Sequence, residues 1–166
     1  MKAKQEPFDF INQLPESHQL EDHFIREVQV KYRRCKRVRF KISAPEDVVS
    51  FLRQVSVDNS REQFFALYLD CGHRVASYSL VAIGGANSCG VHPREVFQRA
   101  LLNGAVALVV AHNHPSGNVE PSQADWTMTE RLQQAGSVVA VPLLDHVVFS
   151  DFGHYSMRDS GKWRHL

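Results

Sequence analysis

Three side chains that can bind a metal ion, His112, His114 and Asp125, lie close together in the sequence. The two histidines are two positions apart at the end of an apolar run, so on a strand their imidazoles point to the same side. The loop that follows contains two prolines and a glycine, and it can bring the start of the next helix back toward the imidazoles. Two imidazoles and one carboxylate leave a fourth position for water, which is typical of catalytic rather than structural zinc.

Each of these residues also has an ordinary structural interpretation. Ser122-x-x-Asp125 is a plain helix start, in which Ser122 caps the helix and Asp125 lies at its positive end. His112 and His114 can instead donate to loop carbonyls. The combination of His-x-His, Pro-Ser-Gly, Pro-Ser and Asp within about fifteen residues favours the metal site.

The surrounding pattern predicts one mixed α/β domain, with strands and helices interleaved around one sheet. Predicted helices cover about 45–54, 92–103 and 122–135, and Gly136 is expected to end the last of them. Predicted strands cover 63–69, 75–83 and 105–111. A half-exposed strand or hairpin is predicted between Val28 and Ile42. Two more apolar runs follow at 138–144 and 146–149. We expect residues 1–27 to form a polar arm or tail and residues 28–166 to form the domain.

Composition bounds the class of protein. The 166 residues carry a net charge of +1 and lack both a long apolar run and the apolar stretch of a secretory signal, which argues against a membrane or exported protein. Three well-separated cysteines indicate neither a disulfide framework nor a thiolate zinc site. These features predict a cytoplasmic protein.

Several separated motifs, taken in order, resemble the JAB/MPN domain of the RadC family, which belongs to the JAMM metalloprotease superfamily. They are Val91-His92-Pro93-Arg94-Glu95-Val96, His112-Asn113-His114-Pro115-Ser116-Gly117, Pro121-Ser122-x-x-Asp125 and Leu144-Asp145-His146. The resemblance covers about 43–155 and implies a cytidine-deaminase-like fold.

By this resemblance the zinc ligands are His112, His114 and Asp125, the general acid/base is Glu62, and Ser122 stabilises a tetrahedral oxyanion. The implied activity is hydrolysis of an amide, either a peptide or an isopeptide bond, by a zinc-activated water. Sequence spacing alone does not identify Glu62 as the general acid/base. Without the resemblance, Glu62 would be interpreted as a solvated glutamate. An HNH nuclease and a zinc nucleobase deaminase are disfavoured because their characteristic spacings are absent from the sequence.

A basic segment supports an alternative, a DNA-associated protein of the RadC DNA-repair type. Its seven cations, with no acid between them, are Lys31, Arg33, Arg34, Lys36, Arg37, Arg39 and Lys41. They can follow a phosphate backbone. A strand with one solvated cationic face, which protects a sheet edge, is the favoured interpretation.

Five further residues are interpreted from the sequence. Asp145-His146 is either a pair that orients a metal ligand or a turn with a structural histidine, and the sequence does not decide between them. His92 is expected to be structural or to line a pocket rather than to bind a metal, and His73 and His154 are expected to face solvent.

Overall fold

The computed structural model describes residues 40–55, 60–84 and 91–163. The helices are α1 (Pro45–Val55), α2 (Pro93–Leu102) and α3 (Gln123–Val138), and the strands are β1 (Gln63–Leu69), β2 (Val75–Ile83), β3 (Ala107–Asn113), β4 (Leu143–Phe149) and β5 (His154–Ser156). The predicted arm and the basic segment apart from Lys41 lie outside the described residues, as does most of the strand predicted between Val28 and Ile42.

The five strands form one sheet in the order β2-β1-β3-β4-β5. β1 is antiparallel to both β2 and β3, β3 is parallel to β4, and β4 is antiparallel to β5. The parallel pair needs a crossover connection, which α3 supplies. The mixed α/β fold with a sheet flanked by helices, predicted from the interleaved pattern, is confirmed.

Helices cover the sheet on both sides, which explains the continuous apolar runs of β1 and β3. Phe64, Ala66 and Tyr68 of β1 face a core cluster that includes buried residues of α2 and α3, such as Val96, Phe97, Met128 and Leu132. The alternate residues of β1 face a second cluster built on α1, with Phe65, Leu67, Leu69, Val48 and Leu52. All seven residues of β3 are buried. The C-terminal end of this central strand carries the predicted histidines.

The prediction that Gly136 ends the helix was wrong, because α3 continues to Val138. Gly136 is buried, and a Cβ atom placed on it would lie 2.6 Å from the carbonyl oxygen of Val141 and 3.2 Å from the ring of Phe97. The glycine therefore permits a close approach between α3 and its neighbours. The left-handed residue near the end of the helix is Ala140, with φ of 56°.

His154, predicted to lie in a turn and to face solvent, is only partly exposed and does not lie in a turn. It lies on β5, a strand that the sequence pattern did not predict, and its side chain is 28% exposed with Nε2 3.4 Å from Oε1 of Glu46. His73 is exposed and lies in the turn between β1 and β2, as expected. None of the helices in the described ranges has the length and apolar character needed to cross a bilayer.

Candidate metal centre

His112 and His114 meet at the C-terminal end of β3. His112 is fully buried on the strand, and its Nε2 atom lies 3.0 Å from Nε2 of His114. The backbone N–H of His114 donates to the carbonyl of Phe149 at the end of β4. Nδ1 of His114 lies 2.7 Å from the carbonyl oxygen of Asn118. Because a carbonyl only accepts, Nδ1 of His114 carries the proton, which leaves the lone pair on Nε2.

Asp125 approaches His112 from the first turn of α3. Its Oδ2 atom accepts from the backbone N–H of Ser122 at 2.7 Å and from the Ser122 hydroxyl at 2.6 Å, in a complete capping box. Its other oxygen, Oδ1, lies 3.4 Å from Nε2 of His112, and the residue is 2% exposed. The capping and metal-binding interpretations of Asp125 are therefore compatible, because each uses a different carboxylate oxygen.

The separations of His112 from His114 and from Asp125 are compatible with a small tetrahedral cation. Ligands that each lie about 2.0–2.1 Å from tetrahedral zinc are roughly 3.3 Å apart. The observed separations are 3.0 Å between the two histidine nitrogens and 3.4 Å between His112 and Asp125. Neutral imidazole nitrogen and carboxylate oxygen are also donors that zinc accepts. The two separations and the donor types of His112, His114 and Asp125 are thus compatible with zinc, and the Glu62 carboxylate offers a further donor beside the two imidazoles.

Glu62 lies beside the histidines because of the pairing between β1 and β3. Phe64 is paired with His112, and continuing this antiparallel register by two residues places Glu62 opposite His114. A carboxylate oxygen of Glu62 and one ring nitrogen of each histidine all lie within 4.8 Å of one another. Glu62 is partly exposed, whereas His112 and Asp125 are buried. The partly exposed carboxylate stands at the open side of the cluster.

Asn113 holds the segment that carries Glu62, a role that the sequence analysis missed. Its Oδ1 accepts from the backbone N–H of Gln63 at 2.7 Å, and its Nδ2 donates to the carbonyl of Arg61 at 3.0 Å. The two contacts bracket Glu62 on either side. The side chain of Asn113 is 3% exposed, so water cannot readily replace these hydrogen bonds. A polar residue within a buried strand is the signal that points to such a role.

Burial keeps the central imidazoles neutral. It lowers the pKa of His112 to about 4, with a further lowering by His114 and an opposing effect of the Asp125 carboxylate. Burial also lowers the pKa of His146 well below its usual value, and His112 and His114 lower it further. Metal binding requires the deprotonated imidazole, so the environment of His112 favours the form that can bind.

The pair Asp145-His146 lies on β4 rather than in a turn. Nε2 of His146 lies 2.8 Å from Nδ1 of His112, whereas Asp145 accepts from the backbone N–H groups of His146 and Arg158 and from the hydroxyl of Ser156. Of the two residues, His146 makes the hydrogen bond to a candidate ligand.

Another histidine of the sequence motifs, His92, makes a structural contact and also lines a surface pocket between α2 and α3. His92 is the N-cap of α2, where its Nδ1 accepts from the backbone N–H of Arg94 at 3.1 Å. The expectation of a structural role for His92 is consistent with this geometry.

Comparison with known proteins agrees with the resemblance. A sequence model described as the RadC-like JAB domain matches residues 42–162. A UPF0758 protein of Pelodictyon phaeoclathratiforme is 40% identical to the chain over 121 residues, which are 73% of this chain and 54% of the relative. A UPF0758 protein of Methanosarcina mazei is 37% identical over 121 residues, which are 73% of this chain and 53% of the relative. A UPF0758 protein of Halalkalibacterium halodurans is 42% identical over 123 residues, 74% of this chain and 53% of the relative.

The chain therefore spans about half the length of the curated relatives it matches. The matched region includes every described helix and strand. The candidate metal centre also lies within it. The family model covers well over half of the sequence, and the chain belongs to the RadC family of JAB/MPN domains.

Proposed function

We propose that the protein is a zinc-dependent JAMM-type hydrolase that cleaves an amide bond, either a peptide or an isopeptide bond. The observation that carries the proposal is the position of His112 Nε2, which lies 3.0 Å from His114 Nε2 and 3.4 Å from Asp125 Oδ1, with the Glu62 carboxylate beside the two imidazoles. The first three residues would hold the metal. When bound, zinc supplies an activated water and a Lewis acid for the carbonyl oxygen of the substrate.

Glu62 acts as the general acid/base in this proposal. Its carboxylate takes a proton from the attacking water and returns it to the leaving nitrogen, which balances the hydrolysis. The position of Glu62 supports this role, because it is partly exposed and lies within reach of the ligand nitrogens. Asp125 suits the ligand role better, since its burial and its capping box hold the carboxylate in one orientation.

The Ser122 hydroxyl is already hydrogen-bonded to Asp125, which bears on its proposed oxyanion role. Its hydroxyl donates to Asp125 Oδ2 at 2.6 Å and accepts from the backbone N–H of Asp125 at 3.2 Å. In this arrangement Ser122 orients the carboxylate so that Oδ1 faces His112. Donation to an oxyanion requires the hydroxyl to turn away from Asp125, so the oxyanion role of Ser122 stays a prediction.

Metal analysis of the purified chain tests the proposal. We expect about one zinc per chain in the wild type and strongly reduced zinc in His114→Ala, because the substitution removes one of three protein ligands. Elemental analysis after exhaustive dialysis against zinc-free buffer measures both. A wild type that holds no more zinc than His114→Ala would contradict the proposal.

Substitution of Asn113 is expected to separate turnover from metal binding. Asn113→Ala removes the two hydrogen bonds that bracket Glu62 but leaves His112, His114 and Asp125 in the chain. We expect zinc to be retained and turnover of a cleaved peptide or isopeptide substrate to fall about tenfold to a hundredfold, since small misplacement of a catalytic group is costly. Zinc content and kcat are the measurements.

Asn103→Ala is the control for the loss of a side-chain amide hydrogen bond outside the candidate metal centre. Asn103 caps the C-terminus of α2 and donates to the carbonyl of Arg99, beyond the opposite end of β1 from Glu62. We expect this variant to lose stability and keep kcat. Equal kcat values for Asn113→Ala and the wild type would show that Asn113 does not position Glu62.

A further inference from the structure

A buried chain of hydrogen bonds connects two of the proposed zinc ligands behind the metal centre. Nδ1 of His112 lies 2.8 Å from Nε2 of His146, and Nδ1 of His146 lies 2.6 Å from the hydroxyl oxygen of Thr129. That hydroxyl in turn lies 2.6 Å from the backbone carbonyl of Asp125. His146 is fully buried and Thr129 is 1% exposed. The chain thus runs from a ligand on β3, through β4, to a ligand on α3.

The direction of these hydrogen bonds follows from their two ends. The carbonyl oxygen of Asp125 can only accept, so the single hydroxyl proton of Thr129 points to it. The Sδ atom of Met157, 3.5 Å from the same hydroxyl, is likewise an acceptor. Thr129 must therefore accept from His146, which places the imidazole proton of His146 on Nδ1.

The other end requires the same arrangement. If His112 binds zinc through Nε2, its proton is on Nδ1 and is donated to His146, whose Nε2 must offer a lone pair. Both ends therefore select one neutral tautomer of His146, with its proton on Nδ1. Phe64 packs against both rings, stacked on His112 at a centroid distance of 6.0 Å and edge-on to His146 at 5.4 Å, which fixes their planes.

We propose that His146 and Thr129 are positioning residues, which hold His112 in its metal-binding tautomer and tie its orientation to the first turn of α3. This inference rests on the proposed zinc site. Its consequence is that the Nε2 lone pairs of His112 and His114 face each other at 3.0 Å, an arrangement that a shared cation relieves. The strand ligand and the helix ligand are then held as one unit before any metal binds.

Two substitutions at Thr129 separate the hydroxyl from the shape of the side chain. Thr129→Ser keeps the hydroxyl, and Thr129→Val keeps the branched shape without it. We expect zinc affinity, measured by competition with a chromophoric chelator, to fall about tenfold to a hundredfold in Thr129→Val and to stay near the wild-type value in Thr129→Ser. The absorption spectrum of the Co²⁺-substituted protein should change in the same variant, since it reports ligand geometry.

Nitrogen NMR of the imidazoles in the metal-free protein provides a readout without metal or substrate. We expect the proton on Nδ1 in both His112 and His146, and a proton on Nε2 of His112 in wild type would overturn the inference. Equal zinc affinity in Thr129→Val and Thr129→Ser would also overturn it and leave the proposed function intact. A wild type that binds no zinc would instead contradict the proposed function itself.

Discussion

Glu62→Gln is expected to keep zinc and to lose turnover by about a hundredfold to ten-thousandfold, the range associated with removal of a general acid/base. Glutamine has nearly the size of glutamate but cannot take a proton from water at neutral pH. Metal should remain because the three proposed ligands are untouched. Zinc content and kcat on a panel of peptide and isopeptide substrates measure the two effects separately.

Asp125→Asn is the matched comparison, because it makes the same chemical change at the other carboxylate. Glu62 and the two histidines by themselves form a cluster that can hold a metal ion, so the two carboxylates compete for the third ligand position. We expect Asp125→Asn to lower zinc affinity and Glu62→Gln not to lower it. The reverse result would make Glu62 the ligand and remove it from the proton-transfer role.

Gly136→Ala is expected to lower the free energy of unfolding, although alanine is the better helix former. The alanine side chain favours the helix by about 1 kcal/mol. A Cβ at this position meets the carbonyl oxygen of Val141 at 2.6 Å, and that oxygen belongs to the backbone. Overpacking costs about 1–3 kcal/mol and occasionally more. Because the contact is with a backbone atom, we expect a cost in the upper part of this range, about 2–3 kcal/mol, and after the helix gain a net loss of about 1–2 kcal/mol. Urea denaturation of the metal-free chain measures it.

Ser137→Ala provides the control for this prediction. Ser137 is the next residue of α3 and is exposed, so its replacement tests helix propensity without the close contact. We expect a change within about 0.5 kcal/mol. If Gly136→Ala is as stable as Ser137→Ala, the close packing of α3 against residue 141 is not present in solution.

The sequence predicted the fold and most elements because their signals are local. A short stretch of sequence is enough to recognise the apolar run that becomes β3, the hairpin of β1 and β2, and the capping residues of α3. The prediction at Gly136 was wrong because the local sequence around a glycine is the same whether the glycine ends a helix or allows another segment to pack closely against it. The three-residue strand β5 is too short for a periodic signal.

The arrangement around the metal centre was less accessible to sequence reasoning, because it depends on contacts between distant segments. Glu62 entered only through the family resemblance, since its position next to His114 depends on the register between β1 and β3. His146 was left open because strand pairing brings it to His112 across 34 positions of the chain. Thr129 carried no signal beyond lying one helical turn after Asp125.

The connection between His114 and Asp125 has a consequence for how the surroundings of the candidate metal centre can differ among relatives. One end of this loop is fixed where the backbone of His114 bonds to Phe149, and the other end is fixed by the capping box of α3. The entropy of closing a loop rises only slowly with its length, by about 0.6 kcal/mol for each doubling. Insertions and exchanges between Pro115 and Pro121 that leave the Asn118 carbonyl against His114 can therefore reshape the rim of the candidate metal centre at little cost in stability.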